Sequence, residues 1–162
     1  MDSSIFTKDE LSLLRETMES EDSRTLIVGI EFGGGMVGET LNAIDELGYK
    51  PILLNMPDSS RAEDLAGMLY VGSDGQIDYS QRSDVVEAGD KGVFVVENLL
   101  ATSTKNGIAA LTLIRHNRRP AIFITLNKDV HFLNNFLETQ NIKAKTISPS
   151  KRIKDGWVVD SL

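Results

Sequence analysis

The 162-residue chain contains no cysteine. Disulfides, thiolate metal sites, iron–sulfur clusters and cysteine nucleophiles are excluded together. Histidine is almost as scarce. His116 and His131 are the only two, too few for a multi-histidine zinc site, and each stands alone as a helix-surface residue does. Ser3, Ser4, Ser59 and Ser60 have no histidine close by in sequence, so nucleophilic serine chemistry has no support. No stretch approaches the roughly 18 apolar residues that span a bilayer. The opening MDSSIFTKDE is acidic and polar, with no secretory pattern. These absences lead to the expectation of a cytoplasmic protein without membrane contact.

Positive charge is missing from much of the chain. Residues 1–100 carry 20 acidic and 7 basic side chains, residues 101–162 carry 4 and 10, and the formal net charge is −7. A net-acidic chain argues against a general nucleic-acid binder, while the split implies one acidic and one basic part.

What is present is a regular alternation of strand-like and helix-like segments. Residues 7–20 read as a helix, with Leu11, Leu14 and Met18 at helical spacing. Thr7 and Glu10 sit at capping-box spacing, and Phe6 and Leu11 are placed for a hydrophobic staple. TLIVGI, residues 25–30, is a short apolar run rich in β-branched residues and without alternation, the pattern of a strand buried on both faces. PILLN, GVFVV and AIFITL, at residues 51–55, 92–96 and 121–126, repeat it, and residues 144–147 give a short fifth strand.

Between these strands the spacing predicts helices over residues 38–47 (closed by Gly48), over a segment carrying Leu65, Ala66, Met68 and Leu69, over 105–116 and over 129–140. YVGSDGQIDY, residues 70–79, reads as a hairpin, and Trp157-Val158-Val159 as a last extended piece. Asp84, Glu87 and Asp90 read as a solvated acidic surface. Strands separated by helices imply an α/β fold of three layers, with a five-stranded, mainly parallel sheet between helices. The expected organisation is a core over residues 1–150 and a basic tail over 151–162.

Ligands in open α/β sheets sit beyond the carboxyl ends of the strands. A glycine cluster follows the first strand: Gly29, then Gly33-Gly34-Gly35, then Gly38. Glycine permits close backbone approach, and the start of the next helix favours an anion. Gly33 to Gly38 fits the dinucleotide pattern G-x-G-x-x-G, but Glu31 and Phe32 separate it from the strand. Asn55 also stands where a ribose-binding acid belongs. The phosphate-loop pattern G-x-x-x-x-G-K-[ST] fits from Gly29, placing Gly35-Met36 at its end, or from Gly33, placing Glu39-Thr40 there. Neither register supplies the lysine, and none occurs between Lys8 and Lys50. That lysine places positive charge on the transferred phosphates. The glycines equally suit a tight strand-to-helix turn with no ligand.

Five segments occur in an order that resembles the AAA+ ATPase family, nearest to its MoxR-like branch: TLIVGIEFGGGM, GYKPILLNMPDSSRAEDLAG, YVGSDGQIDY, EAGDKGVFVVENL and PAIFITLN. The resemblance covers roughly residues 20–150 and implies a P-loop-type sheet of order 5-1-4-3-2. It implies a nucleotide site at Gly29, Gly33, Gly34, Gly35 and Met36, with Glu97 and Asn98 at the Walker B positions and Asn127 as the sensor-1 asparagine. The family ends its Walker B strand in aspartate then glutamate. A neutral Asn98 amide cannot act as a general base. Between residues 128 and 145, where the family carries an arginine finger, there is no arginine. The helical lid that usually follows is expected to be missing, since residues 150–162 are too few to build it.

The resemblance therefore implies a pseudo-ATPase with no catalytic residues, no metal and no required cofactor. Such a domain acts through protein–protein interaction, by joining a ring of active ATPases, by inhibiting one, or by self-association. A phage or mobile-element origin would suit it. The alternatives are a sensor that binds ATP or ADP with magnesium without hydrolysis, and a dinucleotide-binding Rossmann-type protein. Lys143, Lys145, Lys151, Arg152 and Lys154 form the one basic run, a candidate contact surface for nucleic acid or an acidic protein.

Overall fold

The computed structural model describes residues 6–21, 24–30, 36–56, 68–71, 75, 77–80, 83–149, 153–154 and 157–158. Its centre is a parallel five-stranded sheet. The strands are β1 (Thr25–Ile30), β2 (Lys50–Asn55), β5 (Gly92–Glu97), β6 (Ala121–Leu126) and β7 (Lys145–Ile147), in the order β2-β5-β6-β1-β7. Counting only these strands the order is 2-3-4-1-5, which is 5-1-4-3-2 read from the other edge. Two small antiparallel pairs lie outside the sheet: β3 (Met68–Val71) with β4 (Ile77–Ser80), and β8 (Ile153–Lys154) with β9 (Trp157–Val158).

Crossover handedness distributes the helices. Parallel crossovers are right-handed, so connections running in opposite directions along a sheet put their helices on opposite faces. The β1→β2 connection runs one way, and its helix α2 (Met36–Glu46) joins α1 (Lys8–Glu19) on one face. The connections β2→β5, β5→β6 and β6→β7 run the other way. They place α3 (Ser83–Ala88), α4 (Thr104–Asn117) and α5 (Val130–Thr139) on the second face. The result is a three-layer α/β/α fold.

Alternation along the strands builds the two cores. Phe94 and Val96 of β5 point toward α3, α4 and α5, together with Ile27, Ile52, Leu54 and Phe123. Val93 and Val95 point the other way with Leu26, Val28, Ile122 and Ile124, against Leu14, Met18, Ala43 and Ile44. β5 and β6 are each buried along their first five residues, which explains their unbroken apolar sequence. β2 lies at the sheet edge and is only partly covered. Pro51 fits there because an edge strand has a side that donates no ladder hydrogen bond.

Local signals produce the expected caps. Thr7 accepts from the Glu10 amide at 3.1 Å, and the Thr7 amide donates to Glu10 Oε1 at 2.9 Å, completing the capping box. Phe6 is buried beside Leu14, with Leu11 packed against the same cluster. Gly48, at φ +91°, closes α2, and the Tyr49 amide reaches back to the Ile44 carbonyl at 3.2 Å.

Two expectations change. Met68 and Leu69 belong to β3 instead of a helix, so the hairpin begins two residues earlier than its turn signal implies. Its register pairs Leu69 with Tyr79, and this cross-strand pairing overrides the weak helical spacing of a short apolar segment. Asp84 and Glu87 sit on or near a short helix, α3, whose six residues give too little periodicity to read. Leu65 and Ala66 lie outside the described residues.

Candidate functional site

Because the five main strands are parallel, their carboxyl ends gather on one side: Ile30 of β1, Asn55 of β2, Glu97 of β5 and Leu126 of β6. Register sets the neighbours there. Asn55 is paired with Glu97, Glu97 with Ile124, and Gly29 with Thr125. The polar rim therefore includes Asn55, Glu97, Asn98 and Asn127, with Thr125 buried beneath it at 3% exposure. In the sequence Asn55 stands only where a ribose-binding acid is lacking, and register is what brings it beside Glu97. A polar residue ending an apolar strand run was the available signal.

Gly29 is a buried residue within β1. A Cβ at this position would stand 2.3 Å from Asn127 Oδ1, 3.0 Å from Val130 Cγ2 and 3.1 Å from Ser148 Oγ. Asn127 thus lies directly against β1, bringing the candidate sensor residue and the first glycine of the loop into contact. Glycine is needed here for clearance, whatever the loop beyond it does. Gly33, Gly34 and Gly35 lie outside the described residues, and Met36 opens α2. Glu39 occupies the first turn of α2, where a carboxylate favours the helix dipole and opposes an incoming anion.

Asn98 follows β5 in the left-handed region, at φ 57° and ψ 49°. Its amide donates to the Ile124 carbonyl at 3.1 Å, and its carbonyl accepts from the Ala101 amide at 3.0 Å. Among residues with a side chain, asparagine is one of the few that visit this region readily. Asn98 therefore has a conformational role in turning the chain from β5 into the 3-10 turn Leu99–Ala101. Replacing Asn98 by alanine is expected to cost about 1 kcal/mol and by glycine less, a difference that urea unfolding resolves.

Arg118 and Arg119 lie at the opposite, amino end of β6. Arg118 caps α4 in the left-handed region, and its carbonyl accepts from the Arg24 guanidinium at 2.6 Å. Arg119 donates to the Gly89 carbonyl. A Cβ on Gly92 would stand 2.9 Å from the Arg119 guanidinium, so this arginine fastens the start of β5. Both serve loop architecture at the end of the sheet opposite Gly29.

The basic run separates into parts. Lys145 of β7 pairs with Glu16 of α1 at 3.1 Å, and Lys143 is exposed. Lys154 belongs to β8, opposite Trp157, while Lys151 and Arg152 lie outside the described residues. His131 is exposed, with Nε2 3.3 Å from the Asn135 amide nitrogen. Among the described residues, no three acidic or histidine side chains gather as a metal site requires, and no helix is long and apolar enough to cross a membrane. No protein-family model matches the chain, and no curated protein matches it.

Proposed function

We propose that this chain is a AAA+-like core that does not hydrolyse ATP and works by binding protein, either within a ring of active ATPases or as an inhibitor of one. The observation that carries the proposal is the sheet order β2-β5-β6-β1-β7. It sets β1, which precedes the glycine segment in the chain, between β6, followed by Asn127, and β7, which begins at Lys145. This is the order the resemblance implies. The dinucleotide order 3-2-1-4-5 would put the first strand beside the second. Here β5 and β6 intervene, so the Rossmann-type alternative loses its support.

The loss of chemistry follows from residue types. The helix after the glycine segment opens without a lysine and carries Glu39. At the end of β5 the water-activating carboxylate is replaced by an amide, and that amide residue makes the turn. Glu97 stands at the position the family gives to its metal-ordering aspartate, and Asn98, at the position of the general base, is a neutral amide with no useful proton affinity. Phosphate release from ATP and magnesium is expected to stay at the level of a protein-free blank, for the native chain and for Glu97→Gln alike. Turnover abolished by Glu97→Gln would overturn the proposal. Calorimetric titration with ATP and magnesium separates a nucleotide-binding sensor, which gives heat at millimolar ligand, from a domain with no nucleotide role.

A further inference from the structure

α4 and α5 lie side by side on the second face of the sheet and run in the same direction. A Cβ on Gly107 would meet the Phe136 ring at 3.7 Å, and further along α4 the Arg115 guanidinium donates to the Gln140 carbonyl. The seam between the two helices is apolar. Phe136 is half-buried in it, and Phe132, one turn earlier on the same side of α5, is 63% exposed. On α4, Ile108 follows Gly107 and is 41% exposed. Folding has left these two large side chains wet beside one seam.

The rim of the seam is cationic. Lys105, one turn before Ile108, and Lys128, one turn before Phe132, are exposed at the end nearer the strand carboxyl ends, and Arg115 closes the other end. Among the described residues, none of these three cations is paired with a carboxylate. The acids of this layer stand elsewhere. Glu138 is two residues from Phe136, which puts it roughly 200° round α5, on the flank away from α4. Asp84 and Glu87 belong to α3, which packs on the edge strand β2, whereas α5 packs on β1 and β6, so α4 separates them from the seam. Asp129 is half-buried ahead of α5.

We infer that this seam is the docking groove for an acidic amphipathic helix of a partner protein. From Thr104 to Arg115 it runs about 16 Å, the length of three helical turns. Its walls are helices whose backbone groups are already bonded within each helix, so an extended peptide finds no ladder there and leaves its own amides unpaired. A helix brings its backbone satisfied and needs only an apolar stripe. Unpaired cations on the rim select carboxylates beside that stripe. A nucleic acid fits less well, because Ile108 offers no plane for a base to stack on and the chain is net −7. The inference rests on the proposed protein-binding role and names its surface and the chemistry of its partner.

Fluorescence anisotropy with the full chain tests it. The probe is a labelled synthetic helix of about 14 residues, four turns, with leucines in one stripe and glutamates on either side. Saturable binding is expected at about 0.1 M salt, where charges act over about 10 Å. The same peptide with lysine for glutamate should bind at least about tenfold more weakly, and one of equal composition with its stripe scrambled should not bind. Phe132→Ser and Ile108→Ser should each weaken binding about tenfold, while Leu53→Ala, an exposed apolar position on the sheet edge, should not change it. Lys105→Glu with Lys128→Glu should reverse the preference between the two peptides. All these side chains are exposed, and an unchanged thermal midpoint verifies that each variant is folded. No saturation by the glutamate peptide, equal binding of the lysine peptide, or binding that Phe132→Ser leaves intact overturns the inference. So does self-association lost in Phe132→Ser, which makes a second copy the occupant, and so does binding of single-stranded DNA lost in the same variant. Phosphate release decides the absence of hydrolysis separately, so failure of the groove is distinguishable from failure of the proposed function.

Discussion

Replacing Gly29 by alanine is expected to destabilise the protein by about 1–3 kcal/mol, the usual cost of forcing volume into a packed interior. The added Cβ would stand 2.3 Å from Asn127 Oδ1, 3.0 Å from the Val130 methyl and 3.1 Å from the Ser148 hydroxyl, so Asn127 must move and two further neighbours must give. Asn127 follows β6 and begins the turn into α5, which means its displacement disturbs the rim where β1 and β6 finish. In an Asn127→Ala background the same substitution should cost less, because its closest obstacle is gone. That difference, measured by urea unfolding of the four proteins in the cycle, isolates the contact. Equal costs in both backgrounds would show that Asn127 does not press on Gly29. The result also bears on function. A phosphate loop needs its first glycine for backbone approach to a ligand, so a stability loss in ligand-free protein shows that packing alone suffices to require it.

Phe94→Ala should have the largest effect of any single substitution considered, about 3–5 kcal/mol. Phe94 is fully buried in β5, with β2 on one side and β6 on the other, and its ring faces α3, α4 and α5. Its neighbours belong to rigid strands and cannot collapse into the vacated space. Domain stabilities run about 5–15 kcal/mol, so the variant loses a large fraction of its margin. At about 2–4 °C per kcal/mol for a chain of this size, the midpoint should fall by roughly 10 °C. Thermal unfolding followed by circular dichroism checks this, and a shift of only a degree or two would place Phe94 outside the rigid core. Leu53→Ala makes the comparison: Leu53 lies on the edge strand, 41% exposed, and has little burial to lose.

Much of the fold was legible because its signals are local. A strand buried on both faces must be apolar at every position, so the runs at residues 25–30 and 121–126 mark β1 and β6 with their observed bounds. The Thr7–Glu10 capping box and the left-handed Gly48 each depend on residues within one turn. Short segments were less legible. Met68 and Leu69 suit either helix or strand, and pairing with β4 decides the matter. α3 spans too few residues to show a period.

For the candidate site, the amino-acid sequence determined the inventory: no cysteine, no lysine between Lys8 and Lys50, an amide at Asn98, and acids and bases divided along the chain. These are matters of composition and order, which folding does not alter. Only the tertiary structure decided the juxtapositions. It set Asn127 against Gly29 across 98 residues of chain, paired Asn55 with Glu97, and put α1 and α2 on one face of the sheet and α3, α4 and α5 on the other. The physical reason is that strand order, register and crossover hand are settled by how the apolar faces pack together. That is a property of the assembled sheet, and no local stretch of the chain encodes it.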